Sequence, residues 1–583
     1  MTVAALAVLV PFGAACALAA ASPFVRRGTG WWSVVVAVAA LALTVALAAR
    51  HEPRVVVWFG GWAPRHGVAV GVGFVVDAMG AGLAVFVAAL GVAALVVAAF
   101  VIDVESLIFD ALMLVFIGAM IGFCLTGDLF NLFVFFELMS VSAYVLVGYE
   151  IRRRAALEGA LTFAVTNTVG SILLLFGIAL LYGRTGALNL AQIGRALGPA
   201  DGLVVVAFAL VACGLLVKAA VVPFHLWTAD AYAVAPTPVC ILLAGAFSEL
   251  GLYGLARVYW TVFDGALDAD ALRAVLVVAG ALTGLVGAVM CAAQHHLKRM
   301  LAFATIAQVG LFLIGLGLLS GDGVAGAAVW VIADGLVKAG LFTCVAILQH
   351  RFDAIEEADL HGRAARPLGV LLAAGGLAIA SLPPTGSFLG HAMVEDAALR
   401  AGYAWVPALM LVVTALVGGT LLRVAARVTW GLGEPAQREP AGEEAGEERE
   451  QGSGLLWLPA AGLIVAGLAW SAVPGLVGSA GRAAATFVDG SGYAHAVLDG
   501  RDVAVAHALH GPGASAYAYS AGSVALALVV AFTALARRPA VPGPVARVVE
   551  GLRALHDGRP GDYVAWTVAG AALLGVLSAL LLR

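Results

Sequence analysis

The chain has 583 residues, of which 62% are hydrophobic and only 12% are charged, and its formal net charge is -4. Soluble domains carry about 25% charged residues, so this composition excludes a soluble globular or disordered protein. The charges form no basic tract, which gives no support to nucleic acid as a partner. Apolar stretches of about 18 or more residues recur along the sequence and indicate an all-α polytopic membrane protein.

Apolar runs bounded by Gly, Pro or charge predict about sixteen membrane spans. If the N-terminus lies outside, Lys and Arg are more frequent in the inside loops, as the positive-inside rule requires for a bacterial cell membrane protein. The first run has no basic leader, so we expect a retained first helix. In chain order the predicted spans cover residues 2–22, 31–50, 74–101, 107–126, 129–149, 159–183, 202–222, 237–261, 271–293, 300–319, 324–349, 368–390, 403–429, 454–475, 518–536 and 563–582.

Two polar segments are predicted to lie outside the membrane. Residues 430–453 are acidic and rich in Gly and Pro, which is typical of a flexible solvent loop. Residues 479–515 are small and weakly amphipathic, and they hold His495, His507 and His510. These histidines lack the spacing of metal ligands, and the six cysteines form no cluster, so we predict an extramembrane loop and no metal site.

An ionisable side chain in the middle of an apolar span is costly, so each one is a hypothesis about function. Glu137 lies in the fifth predicted span, and Lys218 in the seventh is its obvious candidate partner. Movement of Glu137 could then switch Lys218 between holding and releasing a proton. The alternative is a static buried ion pair that only fixes the packing.

Prolines interrupt two of the predicted spans. Pro223 follows Lys218 by about one turn and removes a backbone donor, so the seventh span should be broken. Pro383 and Pro384 predict a second break, in the twelfth span. Paired interruptions in two halves of a chain are typical of inverted repeats with binding or conduction at the breaks, whereas ordinary proline kinks are the alternative.

Further charges are spaced to share a helix face. Asp334 and Lys338 are four residues apart in the eleventh span, and His391 and Glu395 repeat this spacing after the second break.

The eighth span carries Glu249 and Arg257, and we favour a structural role for Arg257. Asp77 and Asp128 stand at helix entrances and are explained as N-terminal caps.

Together these groups form a series of titratable stations with broken helices that could admit water, which is what proton transfer across a membrane requires. No nucleotide loop, haem ligand pair or iron–sulfur cysteine run is present, so we expect no cofactor on this chain. The candidate proton-translocating residues are Glu137, Lys218, Glu249, Asp334, Lys338, His391 and Glu395, with Pro223, Pro383 and Pro384 as helix breaks and Asp128, His225, Asp230 and Arg257 as accessory residues.

Several stretches resemble one known family. They are GDLFNLFVFFELMSVSAYVL, KAAVVPFHLWTADAYAVAPTPV, HLKRMLAFATIAQVG, LVKAGLF and SLPPTGSF. These segments resemble the antiporter-like subunits shared by respiratory complex I, the multisubunit Mrp Na+/H+ antiporters and the membrane-bound group 4 hydrogenases, and the first is most similar to the D subunit of Mrp. The resemblance covers about residues 70–430.

The resemblance implies a core of 14 helices with two inverted five-helix repeats and broken seventh and twelfth helices. It implies that Glu137 and Lys218 are the coupling pair and that Lys338 is the lysine of the eleventh helix. The corresponding division of the chain is 1–106 for three N-terminal helices, 107–261 and 271–429 for the two repeats, and 454–583 for the C-terminal helices. The two extra helices after about residue 515 lie outside the common core and are candidates for docking a partner subunit.

The second half departs from the family pattern at four positions. Glu249 stands where a lysine is usual, Asp334 where a histidine is usual, and His391 where a lysine or glutamate is usual; His296 replaces an aspartate. Each replacement can itself bind a proton. We therefore expect proton input and coupling to survive, whereas the exit path or the ion carried could differ.

Three functions are compatible with these residues. The first is an ion-translocating subunit of a multisubunit Mrp-type cation/proton antiporter that moves H+, with Na+ as a candidate counter-ion. The alternative is a proton-pumping membrane subunit of a complex I-like NADH-quinone oxidoreductase or group 4 hydrogenase, whose redox subunits are other chains. The third is a membrane scaffold that has lost conduction. In each case the expected partners are other membrane subunits.

Overall fold

The computed structural model describes residues 2–24, 30–50, 52–102, 107–433, 453–501, 512–536, 543–556 and 558–582. Within these residues fourteen helices are long and apolar enough to cross a membrane, and a bent helix pair brings the number to fifteen. The twelfth predicted span, which is divided into two shorter helices, completes the sixteen expected from the sequence. The all-α polytopic fold is thereby confirmed.

The N-terminal part contains three long helices and a small sheet. The strands β1 (Arg54–Trp58) and β2 (Gly73–Asp77) pair antiparallel. The third span was predicted from residue 74, but residues 73–77 form β2, because this valine-rich stretch pairs with the equally valine-rich β1. The helices are α1 (Val3–Ala21), α2 (Trp31–Ala48) and α3 (Ala78–Val101).

The first repeat contains the first helix break. The helix α8 ends at Ala219, where Ala220 adopts a left-handed conformation with φ of 59°, and α9 begins at Leu226. Pro223 lies in this break, as predicted. The helices are α4 (Leu107–Leu125), α5 (Leu129–Val147), α6 (Arg154–Thr185), α7 (Leu190–Ala196), α8 (Gly202–Ala219), α9 (Leu226–Val234) and α10 (Thr237–Phe263).

The second repeat contains the second break. Residues 380–385, which include Pro383 and Pro384, separate α14 from α15. In each set of five spans the fourth is the broken one, as expected of two related repeats. The helices are α11 (Ala269–Ala292), α12 (Leu297–Gly317), α13 (Gly321–Phe352), α14 (Arg366–Ile379), α15 (Gly386–Arg400) and α16 (Val406–Trp430).

The C-terminal part is more helical than predicted. The expected loop at residues 479–515 includes most of α18 and all of α19, because α18 packs against α13 and α19 packs against α7, α10 and β1. His495 lies on α19, 2.9 Å from Asp499, whereas His507, His510 and most of the acidic segment 430–453 lie outside the described residues. The helices are α17 (Trp457–Ala472), α18 (Leu476–Val488), α19 (Gly490–Asp499), α20 (Ala514–Ala536), α21 (Gly543–Leu555) and α22 (Pro560–Leu581).

The extra C-terminal helices pack on this chain itself. The helix α20 lies against α16, and α22 lies against α6 and α8. The docking of a partner subunit on these helices stays a prediction, but part of their surface is already used by their own chain.

A buried ion pair joins the sheet to the eighth span. Arg257 Nη2 lies 2.6 Å from Asp77 Oδ2, and both side chains are almost completely buried. Asp77 also accepts a hydrogen bond from the backbone N–H of Gly80 and so caps α3. The Arg257 guanidinium stands 4.2 Å from the ring of Phe487 on α18. These contacts are those of a structural ion pair that holds three elements together.

We expect Asp77→Asn to lower the free energy of unfolding by about 3–5 kcal/mol, because asparagine keeps the helix cap but leaves the buried guanidinium without a counter-charge. The matched control is Asp499→Asn, which breaks the exposed ion pair with Arg195 and should cost about 0–1 kcal/mol. Thermal unfolding in detergent measures both. Equal losses for the two variants would contradict the structural assignment of the Asp77–Arg257 pair.

Candidate proton-translocating site

The predicted ionisable residues lie inside the helix bundle. Glu137 is half-buried, and the other six candidate residues expose 4% of their surface or less. Low-dielectric surroundings make each charge costly, so the contacts of each group decide what it can do. The six are Lys218 on α8, Glu249 on α10, Asp334 and Lys338 on α13, and His391 and Glu395 on α15.

Lys218 is held by groups that carry no full negative charge. Its Nζ donates to Ser140 Oγ and lies 3.4 Å from the backbone oxygen of Phe136. The rings of Phe136 and Phe247 each stand 4.1 Å from the same nitrogen, in cation–π geometry. Its position in the last turn of α8 also favours a cation, because the negative end of the helix dipole is there.

Glu137 does not form the direct ion pair expected from the sequence. It lies on α5 beside Phe136 and one turn before Ser140, yet its Oε1 is buried without a hydrogen-bond partner among the described residues. Lys218 therefore contacts the helix of Glu137 rather than its carboxylate. A rotation of the Glu137 side chain could change the distance between its carboxylate and the Lys218 ammonium. The switching role of the two residues stays a prediction.

A three-membered ion cluster joins the last helix of the first repeat to the second repeat. Lys338 Nζ lies 2.9 Å from Glu249 Oε1 and 2.8 Å from Asp334 Oδ2. The Asp334–Lys338 contact follows from their spacing of four residues on α13. The contact with Glu249 was missed, because it joins α13 to another helix, and helix periodicity describes only pairs on the same helix.

The backbone of α10 contributes to the placement of Glu249. Residues Leu243–Phe247 form a π-helical turn directly before Ser248 and Glu249. Such turns shift the register of a helix and are frequent at functional sites. The π-helical turn also includes Phe247, whose ring covers Lys218, so one irregular segment contacts Lys218 and leads into Glu249.

The predicted pair on α15 lies behind the second break. His391 Nδ1 is 3.2 Å from Glu395 Oε1, and the His391 ring stands edge-on to Trp330 at 4.9 Å. Trp330 precedes Asp334 by one turn on α13. The pair on α15 therefore packs next to the helix that carries the ion cluster, and the second-half charges form a neighbouring series.

Sequence reasoning missed Lys298. It was assigned to an inside loop, but it lies in the first turn of α12, is 2% exposed and donates to the backbone oxygen of Ala235 at 3.0 Å. It borders a cavity of about 710 Å³ that also reaches Glu150 and Arg153. The apolar run that begins at Met300, directly after Lys298 and Arg299, was the available signal that a helix starts here.

Of the accessory residues, His225 and Asp230 lie at or just after the first break, whereas Asp128 lies at the start of α5. Asp128 caps α5 by accepting from the Asn131 N–H at 2.8 Å, and burial raises the pKa of its carboxyl to about 6. Asp230 Oδ1 on α9 pairs with Arg299 at 3.1 Å. His225 is buried in the break itself, and neither ring nitrogen has a hydrogen-bond partner among the described residues.

The chain was compared with known proteins. Residues 126–418 match the family model described as NADH:quinone oxidoreductase/Mrp antiporter, TM. NADH-quinone oxidoreductase subunit N of Desulforudis audaxviator (strain MP104C) is 34% identical over 395 residues, which are 66% of this chain and 76% of that relative.

Two solved structures contain chains of similar fold. One is the membrane-bound sulfane sulfur reductase (MBS), an archaeal respiratory membrane complex, with a TM-score of 0.75 and 26% identity. The other is the Mrp complex from Dietzia sp. DQ12-45-1b, with a TM-score of 0.72 and 27% identity. Each match covers 85% of this chain and 100% of the matched chain.

The fold and the buried charges define a multi-pass membrane subunit of the antiporter-like class. The family match and the relatives agree with the resemblance seen in the sequence, which is confirmed. The chain belongs to the NADH:quinone oxidoreductase/Mrp antiporter transmembrane family.

The ion cluster allows a test by infrared spectroscopy. Two carboxyl groups share one ammonium, so a proton on one carboxyl group would neutralise the cluster in its low-dielectric surroundings. We expect Glu249→Gln to remove a protonated-carboxyl band from the infrared spectrum, because Lys338 and Asp334 then form a balanced pair. The control Glu158→Gln, on the exposed side of α6, should leave the band unchanged. An unchanged band in Glu249→Gln would mean that the cluster carries no proton.

Proposed function

We propose that this chain is a proton-translocating membrane subunit of a redox-driven respiratory complex of the NADH-quinone oxidoreductase type. The observation that carries the proposal is the series of buried ionisable groups that extends through both repeats. The relative named NADH-quinone oxidoreductase subunit N supports this function over the Mrp-type antiporter that we first favoured from the sequence. The similarity to a respiratory membrane complex of archaea points in the same direction.

In this proposal Lys218 is the central station of the first half. A lysine held by a hydroxyl, a carbonyl and two rings can lose its proton without leaving a carboxylate unpaired. Movement of Glu137 toward Lys218 would favour the charged ammonium, and movement away would favour proton release. The electrons and the energy come from redox subunits on other chains, since we assign no redox site to this one.

From the first half, the proton would pass to the cluster of Glu249, Lys338 and Asp334. It would then pass to His391 and Glu395 on α15. The shared π-helical turn at Leu243–Phe247 supports this order, because it contacts Lys218 and leads into Glu249. We propose a bacterial cell membrane as the location, with the N-terminus outside.

A second candidate is an Mrp-type cation/proton antiporter. The similarity to a chain of the Dietzia Mrp complex, which is complete over that chain, favours it. Both candidates use the same buried groups, and they differ in the partners and in whether Na+ is carried.

We expect Glu137→Ala and Lys218→Ala each to reduce proton translocation by about 100-fold or more while the complex still assembles. Lys218→Arg should also fail, because arginine cannot release its proton at usable pH. Proton uptake by membrane vesicles, followed with a pH-sensitive dye, measures the effect. Glu158→Ala on neighbouring α6 is the control, because its carboxylate is exposed and pairs with Arg154 on the same helix. Normal uptake by the Glu137 or Lys218 variants would remove them from the path.

The partners separate the two candidates. We expect the intact protein, purified in mild detergent, to bring with it redox subunits that carry iron–sulfur clusters, flavin or nickel, as identified by mass spectrometry and metal analysis. Co-purification with small membrane subunits alone, together with Na+-dependent proton flux, would favour the antiporter instead.

A further inference from the structure

The last helix of the chain packs directly on the first helix break. A Cβ atom added at Gly570 on α22 would lie 2.4 Å from Pro223 Cγ and 2.9 Å from a ring carbon of Phe224. No side chain fits there, so the backbone of α22 touches residues 223–224. The C-terminal unit, defined here as α21 and α22 with the residues between them, therefore covers the break that follows Lys218.

Polar contacts hold the same unit against α9. The hydroxyl of Tyr563, at the start of α22, donates to Asp230 Oδ2 at 2.8 Å. Arg299 binds the other oxygen of the same carboxylate at 3.1 Å. Arg553 on α21 donates to the backbone oxygen of Ala293 at 2.9 Å. The unit is thus anchored on both repeats.

His556, between α21 and α22, faces the break. Its ring stands 5.1 Å from the ring of His225 and 5.3 Å from the ring of Phe303. Its Nδ1 lies 2.7 Å from the backbone oxygen of Leu552. A carbonyl oxygen only accepts, so Nδ1 carries the hydrogen and Nε2 of the neutral ring is free to take a proton. Within the described residues Nε2 has no hydrogen-bond partner.

A polar cavity of about 410 Å³ lies next to His556. His556 forms part of its wall, whereas His225 does not reach it. The cavity is large and polar enough to hold water, because charged groups surround it. Its ionisable lining groups are Asp230, His295, His296, Arg299, Glu356, Arg553 and His556.

Burial disfavours the charged forms of three of these groups, His556, His296 and Glu356. Burial lowers the pKa of His556, an effect strengthened by Arg299 and opposed by the Leu552 carbonyl and Asp230. Burial likewise lowers the pKa of His296 to about 4 and raises the pKa of Glu356. A neutral imidazole that is charged only in passing suits a relay better than one that stays charged.

We propose that His556 is a proton-relay residue that carries protons from this cavity to His225 at the break in the seventh span. Nε2 of His556 is buried behind the cavity wall, so the ring turns toward the cavity to take a proton from cavity water and becomes an imidazolium. The same nitrogen then releases the proton to an unpartnered nitrogen of His225, directly or through one bridging water, and His556 returns to the neutral form. The inference rests on the proposed proton translocation and adds a route into its first half.

The test compares His556→Phe and His556→Gln in vesicles that contain the assembled complex. Phenylalanine keeps the ring contacts with His225 and Phe303, and glutamine keeps the polarity, but neither carries a proton. We expect each to slow proton uptake about tenfold, with the loss growing as pH rises, because a relay matters most when protons are scarce. Imidazole added to His556→Ala should restore uptake, which it would not do for a residue that only packs.

The control is His495→Gln, since His495 is an exposed histidine on α19 and should leave the rate and its pH profile unchanged. Wild-type uptake by His556→Phe, or absence of imidazole rescue, would overturn the relay. Failure of the proposed function would look different, because the wild-type complex itself would then take up no protons.

Discussion

The helices of this protein surround charges that neither lipid nor packed apolar side chains can solvate, so each charge must be balanced by the protein. The chain does this in three ways. Arg257 is neutralised one-to-one by Asp77. Lys338 is shared by Glu249 and Asp334. Lys218 has a hydroxyl, a carbonyl and aromatic faces around it and, among the described residues, no carboxylate in contact. The charges of Arg257 and Asp77 cancel each other. The groups around Lys338 and Lys218 can still gain or lose a proton.

The helix breaks follow from the same constraint. A continuous helix satisfies its own backbone groups and leaves no polar surface for water, whereas a break exposes carbonyl and amide groups inside the bundle. Lys218 stands one residue before the end of α8, so the break brings polar backbone to the residue that needs it. His391 lies in the second turn of α15, after the second break. Charge and irregular backbone therefore occur together in both repeats.

Local features of the sequence predicted much of this architecture, because apolar length and proline act locally. The sixteen spans, both breaks and the Asp334–Lys338 pair follow from such features. The Glu249–Lys338 contact could not be predicted, since the two residues are 89 positions apart and on different helices. For the same reason the sequence could not tell that Lys218 binds Ser140 instead of Glu137. The strand β2 was hidden because its apolar residues are separated from those of α3 by a single polar residue, Asp77.

The two repeats are thus alike in fold but different in charge. In the second repeat, carboxylates already surround the lysine, so its charge is strongly favoured and a change of its protonation state would be costly. In the first repeat no carboxylate of the described part of the chain contacts Lys218, and a modest movement of Glu137 could change the charge balance around this lysine. The C-terminal unit packs on the break of this first repeat. Control of proton movement is therefore expected where the charge balance is least fixed, beside Lys218.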